Sequence, residues 1–457
     1  MIKIDDLLVN IIKSLIYLFP LTFIFGNLII NIFIFLIIIF GIIAFKKDLF
    51  IWNNYYLIVL VSLFFLTILA STFYQVYFYK VNPDWTKSIL YLRFFLLLLV
   101  VKTIIYKKIL NLNYLIYSSF FITMIIALDI LFQFLFGFNL SGNEPINVGT
   151  IYHSGFFNKE LIAGGFILMF SIIGVFAIPL LLKNKKKFIL FLFFLGVFLI
   201  LVIALVLAGN RMPTIMFIFF ATLLALVIKD KDYKKKFIFL SLIIFLIGSS
   251  IILTSEKYTR FKTFFAAIPN QVFILNEINK SYPKLEKYKN SGLIFSSIEE
   301  YKDSEEYKNM IPFYTGHVQV YITSLDLISD NPLFGTGIKS FRRNCSTKIH
   351  LPNRVCESHP HNFILDILND VGFVGLFLII IPVLILLIRL YKEYLKGEIR
   401  KNNISDWVYL AFILSTAIQL FPLKSSGSFF STFNSSYTFL IIGVLFGLNE
   451  ISYNKKA

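Results

Sequence analysis

Residues 28–45 read LIINIFIFLIIIFGIIAF, and this stretch indicates the structural class of the chain. It holds eighteen consecutive residues without a charged side chain, and Lys46 and Lys47 follow it directly. A helix needs roughly 20 apolar residues to cross the hydrocarbon core of a bilayer. The stretch therefore predicts a transmembrane helix that ends at a basic loop.

The composition of the whole chain supports the same interpretation. Of its 457 residues, 58% are hydrophobic and only 15% are charged, and the mean hydropathy is +0.78. Soluble domains are about half apolar and a quarter charged, so a soluble enzyme, a disordered chain and a secreted disulfide scaffold are excluded. The net charge of +17 would favour nucleic acid in a soluble protein. Here the basic residues mostly separate apolar runs, and we expect no nucleic-acid partner.

Apolar runs recur along the chain and predict an all-α membrane protein with about twelve transmembrane helices. We divide the chain into helices 1–9 over residues 1–254, a large loop over 255–362, and helices 10–12 with a C-terminal tail over 363–457. The predicted spans are residues 9–25, 28–45, 55–79, 88–106, 109–137, 161–182, 188–208, 212–228, 237–254, 372–390, 406–423 and 435–449.

The loops between these spans alternate in charge. By the positive-inside rule, the lysine-rich loops and both termini are cytoplasmic, and the large loop is then periplasmic. The lysine-rich loops hold Lys46, Lys47, Lys102, Lys107, Lys108, Lys183, Lys185, Lys186, Lys187, Lys229, Lys231, Lys234, Lys235, Lys236, Arg389, Lys392, Lys396, Arg400 and Lys401. The short loops on the other side hold only Lys80, Lys87, Lys159, Arg211 and Lys424.

All histidines and cysteines fall in the predicted outer loops. This distribution favours chemistry on the outer face, although outer loops also supply most of the polar sequence. We expect the two cysteines to form a disulfide in that oxidising compartment. These residues are His153, His317, His350, His359, His361, Cys345 and Cys356.

The densest group of such residues is Cys356-Glu-Ser-His-Pro-His-Asn362, which leads into the tenth span. Beyond it, Asp366, Asn369 and Asp370 follow Asn362 at three- or four-residue spacing, so they form one polar stripe on a helix. This arrangement predicts a histidine at the membrane surface above a polar crevice, where it would accept a proton.

Two other interpretations of this group remain open. Cys356, His359 and His361 could be metal ligands with Cys345 or His350 as a fourth, although the spacing matches no compact zinc pattern. Alternatively, His361 could only cap a helix or hydrogen-bond locally.

Two arginines at or inside spans give a second signal, because a guanidinium in a membrane is costly unless it is paired. Arg211 begins the eighth span from the outer face, and Arg93 is flanked by apolar residues. Since a guanidinium binds phosphate oxygens bidentately, Arg211 is suited to a lipid pyrophosphate at headgroup depth. Snorkelling to the outer interface is the alternative for Arg211. For Arg93, a structural ion pair would explain its position as well as substrate contact does.

With these residues, the chain resembles the superfamily of O-antigen ligases and O-antigen polymerases. His361-Asn362, nine residues, and Gly372-x-x-Gly375 match the ligase signature, and the segment Asn331–Phe341 is similar to the Gly-x-Gly segment that precedes it. Gly155–Ala163 is similar to the family's Gly-x-Phe-x-Asn stretch, with its Asn one residue early. Arg211 fits an Arg-x-x-x-Leu motif in which Ile215 replaces the Leu.

The resemblance implies a metal-independent glycosyltransferase in the bacterial inner membrane with its site facing the periplasm. A glycan on undecaprenyl pyrophosphate would be the donor, and a sugar hydroxyl of lipid A–core the acceptor. His361 and Arg211 would be catalytic, and no cofactor would be needed. Residues expected to bind substrate are Arg93, Asn158, Glu160, Arg342, Arg343, His359, Asn362 and Asp366.

Three alternatives to the ligase remain. A polymerase would use the same chemistry on the growing repeat chain, and a relative that glycosylates proteins would differ only in its acceptor. A polysaccharide exporter or flippase would share the span number, but the large outer loop and the one-sided histidines favour an enzyme.

Overall fold

A computed structural model describes residues 4–53, 55–79, 85–147, 151–158, 160–183, 185–239, 242, 316–349, 354–397 and 404–453. Most of the predicted ninth span, the first part of the predicted large loop and His350 lie outside the described residues.

The regular structure of the described residues is almost entirely α-helical. The helices are α1 (Ile4–Tyr17), α2 (Phe19–Thr22), α3 (Asn27–Phe45), α4 (Tyr55–Tyr79), α5 (Trp85–Tyr106), α6 (Leu112–Phe136), α7 (Ala163–Gly174), α8 (Ala177–Leu181), α9 (Lys187–Leu207), α10 (Arg211–Val227), α11 (Gly316–Asp330), α12 (Phe341–Asn344), α13 (Phe363–Lys396), α14 (Asp406–Gln419) and α15 (Thr432–Tyr453). Short 3₁₀ turns occupy Lys46–Phe50, Gly155–Phe157 and Cys345–Thr347, and β1 (Ile146–Asn147) pairs antiparallel with β2 (Ile151–Tyr152).

Eight helical segments within the described residues are long and apolar enough to cross a membrane. The prediction of an all-α, multi-pass membrane protein is therefore confirmed. The first predicted span is divided into α1 and α2, where Pro20 lies in the first turn of α2 and cannot donate a backbone hydrogen bond. The tenth span begins nine residues before its predicted start, at Phe363, so the polar stripe is part of the helix itself.

Helix α15 lies at the centre of the bundle and packs along α5. A Cβ atom added at Gly443 would lie 3.0 Å from the Cβ of Val101, and one added at Gly447 would lie 2.7 Å from the Cβ of Ile105. These glycines, four residues apart, therefore permit the close approach of the two helices.

Lys102, which the sequence places in a basic loop, instead lies inside α5 and is fully buried. Its ammonium group donates to the carbonyl of Ile51 and lies 3.8 Å from the ring centroid of Trp52. A carbonyl and an aromatic face thus replace the water that this charge loses.

Helix α13 connects two chemically different ends of the bundle. Its 34 residues extend about 50 Å at 1.5 Å per residue. His361 precedes its first turn, whereas Tyr394, near its last turn, accepts a hydrogen bond from the backbone N–H of Lys229 at 3.0 Å. The histidine-bearing segment and this basic loop therefore lie at opposite ends of the bundle.

Candidate functional site

Helix α13 is broken at Gly372, and the segment Asn331–Phe341 packs on the helix at this break. Gly372 has φ 68° inside the helix, a left-handed conformation that favours glycine. The break leaves the backbone N–H groups of Phe373 and Val374 free to donate to the carbonyls of Pro332 and Leu333, at 2.8 and 3.2 Å. The Gly-x-Gly segment thus forms backbone hydrogen bonds with the kinked helix.

The polar stripe of α13 fixes the rest of this segment. The backbone N–H groups of Thr336 and Gly337 donate to the carbonyls of Asn369 and Asp370, at 2.8 and 2.9 Å. The carboxylate of Asp370 accepts from the backbone N–H of Lys339 at 2.5 Å and from the Ser340 hydroxyl at 3.1 Å. Among the described residues, the side chains of Asp366, Asn369 and Asp370 are therefore covered by protein.

Asn362 and Asp366 hold the loop between α14 and α15. The Asn362 side chain accepts from the backbone N–H of Leu365 at 3.1 Å, which caps α13, and donates to the carbonyl of Pro422 at 2.6 Å. The buried Asp366 carboxylate accepts from the Ser428 hydroxyl at 2.8 Å and the Phe429 N–H at 2.7 Å. Both residues, predicted to bind substrate, have structural partners here that fix the surroundings of His361.

A small lobe outside the bundle positions the histidines. Its disulfide joins Cys345 to Cys356, as the sequence predicts. The guanidinium of Arg354 forms two hydrogen bonds with the Asp326 carboxylate of α11, at 2.7 and 3.2 Å. These links hold the chain that leads to His361 against α11.

Three histidines meet at this point. The ring centroid of His361 lies 4.2 Å from that of His359 and 4.9 Å from that of His317, which is in the first turn of α11. His361 has φ 56°, and its carbonyl accepts from the backbone N–H of Ser426 at 2.9 Å. We call His317, His359 and His361 the histidine cluster.

The cluster favours neutral imidazoles. Burial lowers the pKa of His361 to about 4, with a further contribution from the charges of His359 and His317. Burial also lowers the pKa of His359. Partial burial and then the nearby Arg211 guanidinium lower the pKa of His317. The rings can therefore accept protons or hydrogen bonds at neutral pH.

The charge of Arg211 lowers the pKa of His317, so the guanidinium lies near the histidine cluster although residues 211 and 317 are far apart in the sequence. Arg211 is the first residue of α10, and Asn210 before it fixes the turn. The Asn210 side chain accepts from the backbone N–H of Gly164 at 3.1 Å and donates to the carbonyl of Leu161 at 3.1 Å. The structure thus brings Arg211 within electrostatic range of His317, which in turn contacts His361.

A second group of charges lies along the docked Gly-x-Gly segment. Burial lowers the pKa of Lys339, and the charges of Lys87, Arg342 and Arg93 lower it further, whereas Asp370 raises it. We call Lys87, Arg93, Lys339 and Arg342 the cationic cluster. The Arg93 guanidinium also donates to the Leu90 carbonyl at 2.6 Å and lies 4.3 Å from the Phe94 ring centroid.

The remaining predicted residues lie elsewhere. Asn158 and Glu160 are exposed and line a cavity of about 790 Å³ beside Phe25, and no residue of the histidine cluster lines it. Arg343 is exposed on α12, next to Arg342 of the cationic cluster.

Sequence reasoning missed three residues that the fold brings to these groups. His317 was recognised only as one of five histidines on the outer side, and that one-sidedness was the available signal. Lys339 lies inside the Gly-x-Gly segment and Lys87 in a short outer loop, where no spacing pattern marked them.

The sulfur of Cys356 cannot serve as a thiolate ligand of a metal ion, because it is bonded to the sulfur of Cys345. Among the described residues, no group of three or more His, Cys, Asp or Glu side chains has an arrangement that could hold a metal ion.

The fold and the site define a multi-pass α-helical membrane protein with a histidine and arginine site at one end of its bundle. The family model described as O-antigen ligase matches residues 196–380, which run from α9 into α13 and contain Arg211, His317 and His361. This match to residues 196–380 confirms the resemblance seen in the sequence. No curated protein sequence matches the chain.

Proposed function

We propose that this protein is a glycosyltransferase that moves a glycan from undecaprenyl pyrophosphate to a sugar hydroxyl of lipid A–core, at the periplasmic face of the bacterial inner membrane. The observation that carries the proposal is the meeting of His361, His317 and Arg211 at one end of an O-antigen ligase domain. A neutral base beside a guanidinium suits the transfer of a sugar from a pyrophosphate to a hydroxyl.

In this mechanism, His361 accepts the proton of the acceptor hydroxyl while the hydroxyl oxygen attacks the anomeric carbon of the donor sugar. The bond between that carbon and the pyrophosphate oxygen breaks, and the lipid pyrophosphate leaves with the electron pair. The anionic donor would raise the pKa of nearby imidazoles, which brings His361 closer to the range of an efficient base.

Two groups of cations could bind the departing pyrophosphate. Arg211 is adjacent to the histidine cluster, and its planar fork suits two phosphate oxygens. The cationic cluster lies along the Gly-x-Gly segment and combines four positive side chains with the buried Asp370. We assign the leaving pyrophosphate to Arg211, because Arg211 lies next to the histidine cluster that holds the proposed base.

The test is transfer in vitro by purified full-length protein from an undecaprenyl-pyrophosphate donor. Parallel reactions offer lipid A–core or a second donor glycan as the acceptor. A ligase extends lipid A–core, whereas a polymerase of the same superfamily lengthens the donor glycan. Failure to transfer to either acceptor would contradict the proposal.

His361→Ala should nearly abolish this transfer, because a general base contributes typically 10²–10⁴-fold to the rate. His359→Ala is the matched control, since His359 lies in the same cluster but outside the signature, and it should reduce transfer only partly. Protein abundance should be similar for both variants. If His361→Ala retains most of the activity, the assignment of the base is wrong.

A further inference from the structure

A cavity of about 1030 Å³ lies at the lysine-rich end of the bundle, opposite the histidine cluster. The turn between α5 and α6, the loop between α8 and α9, and the start of α14 surround it. Its volume is at the upper end of the range of about 300–1,000 Å³ seen for small-molecule sites. Its apolar wall is formed by partly exposed side chains, namely Ile109, Leu180, Leu182 and Ile404.

Three exposed lysines, Lys108, Lys183 and Lys185, line the same cavity. The nearby Lys107 and Lys187 form ion pairs with aspartates at 2.5 and 2.9 Å. Within the part of the chain that the structure describes, none of the three cavity lysines has such a pair. Their charges are therefore available to an anionic ligand.

The aromatic residues of the cavity are typical of a membrane interface. Tyr233 and Trp407 both line it, with ring centroids 5.7 Å apart and the planes nearly perpendicular. Tyr and Trp concentrate at the level of lipid headgroups, where one part of the ring is apolar and the other polar. Asp406 is the single acidic residue among the described lining residues, so the cavity carries a positive excess.

We propose that this cavity binds an anionic phospholipid, with the phosphate between Lys108, Lys183 and Lys185 and the acyl chains along the apolar wall. Basic pockets between transmembrane helices recognise acidic headgroups in this way. Soluble phosphate would pair with the lysines but would leave the apolar wall uncovered, and for this reason a lipid is the better ligand. The site lies at the other end of α13 from His361 and is independent of the proposed transfer reaction.

The test uses Trp407 as a probe inside the cavity. The chain has 3 tryptophans, so Trp52→Phe with Trp85→Phe leaves Trp407 alone in an otherwise full-length protein. The protein is placed in phosphatidylcholine nanodiscs that contain a small fraction of brominated phosphatidylglycerol. Quenching of Trp407 should exceed that caused by the same fraction of brominated phosphatidylcholine.

Removing the lysines by the triple change Lys108→Gln, Lys183→Gln and Lys185→Gln should abolish this excess, since each basic residue contributes about fivefold to the preference for an acidic headgroup. A matched triple variant removes the same charge from exposed lysines outside the cavity. It carries Lys47→Gln, Lys231→Gln and Lys235→Gln and should keep the excess quenching.

Equal quenching by both brominated lipids would overturn the proposal, as would an equal loss in the two triple variants. Displacement of the brominated lipid by inorganic phosphate, at an ionic strength matched with chloride, would assign the lysines to a soluble anion and would also overturn it.

Discussion

His361 has a left-handed backbone conformation, with φ 56°, and its imidazole contacts the rings of both His317 and His359. Such a conformation is uncommon outside glycine, and in an ordered site it persists only where neighbouring contacts impose it. Here the Ser426 N–H donates to the His361 carbonyl and the Asn362 side chain donates to the Pro422 carbonyl, so the backbone is held directly after the bend. The imidazole is thereby directed at His317 and His359.

The pKa of His361 predicts an unusual pH dependence. As the proposed base, it must be neutral in the free enzyme, so kcat/KM should stay level from neutral pH down to about 5 and fall as the pH approaches 4. His317→Gln should move this fall to higher pH, because the charge of His317 contributes to lowering the pKa of His361. The measurement is kcat/KM against pH for both proteins. A fall near pH 6.5 in the unaltered protein would contradict the assignment.

Arg211→Lys should reduce kcat by about 10²-fold, the usual cost of removing one well-placed hydrogen-bond donor from a transition state. Lysine keeps the charge but loses the planar fork. The control is Arg389→Lys at the opposite end of α13, where the guanidinium contacts the Tyr56 hydroxyl. That variant should transfer glycan at nearly the normal rate. Near-normal transfer by Arg211→Lys would mean that Arg211 only snorkels.

At the scale of the element, the break in α13 decides whether the Gly-x-Gly segment can dock. A Cβ atom at Gly372 would lie 2.2 Å from the Leu333 carbonyl oxygen, and φ is 68°. Gly397 is a control with a similar φ of 70° but a different ψ, 11° against −171° at Gly372, and no atom lies within 4 Å of an added Cβ. Gly397→Ala should lose only the roughly 1–2 kcal/mol of a left-handed residue.

The Gly372→Ala variant should therefore have a clearly lower melting temperature in detergent than the Gly397→Ala variant. Its transfer activity should also fall, because the docked segment must move. Thermal unfolding followed by intrinsic fluorescence, together with the transfer assay, measures both effects. Equal melting temperatures for the two variants would show that the docking of Leu333 on the kink contributes little.

The same helix shows which features the sequence could predict. Uninterrupted apolar runs such as residues 28–45 define α3 and its neighbours, because the requirement for apolar length in a bilayer is local. The docking of Thr336 on Asn369 and the contact of His317 with His361 join residues far apart in the chain. No spacing encodes these contacts, so the covered stripe and the third histidine emerged only from the fold.

At the scale of the whole molecule, the two proposed sites require opposite sides of the membrane. Asn362 and Ser425 form a backbone bridge, so the side on which Ser425 lies is also that of His361. Lys185 lines the lysine-rich cavity at the other end. The orientation of the bundle therefore bears on both the transfer reaction and the phospholipid site.

Reporter fusions at Lys185 and Lys235 should report the cytoplasm, and fusions at Ser304 and Ser425 the periplasm. The reason is the excess of lysine in every second loop, which keeps those loops on the cytoplasmic side. A reporter active only in the periplasm and one active only in the cytoplasm should give opposite results at each position. A cytoplasmic result at Ser425 would place His361 away from any periplasmic donor and would contradict the ligase proposal, even if His361→Ala abolished activity.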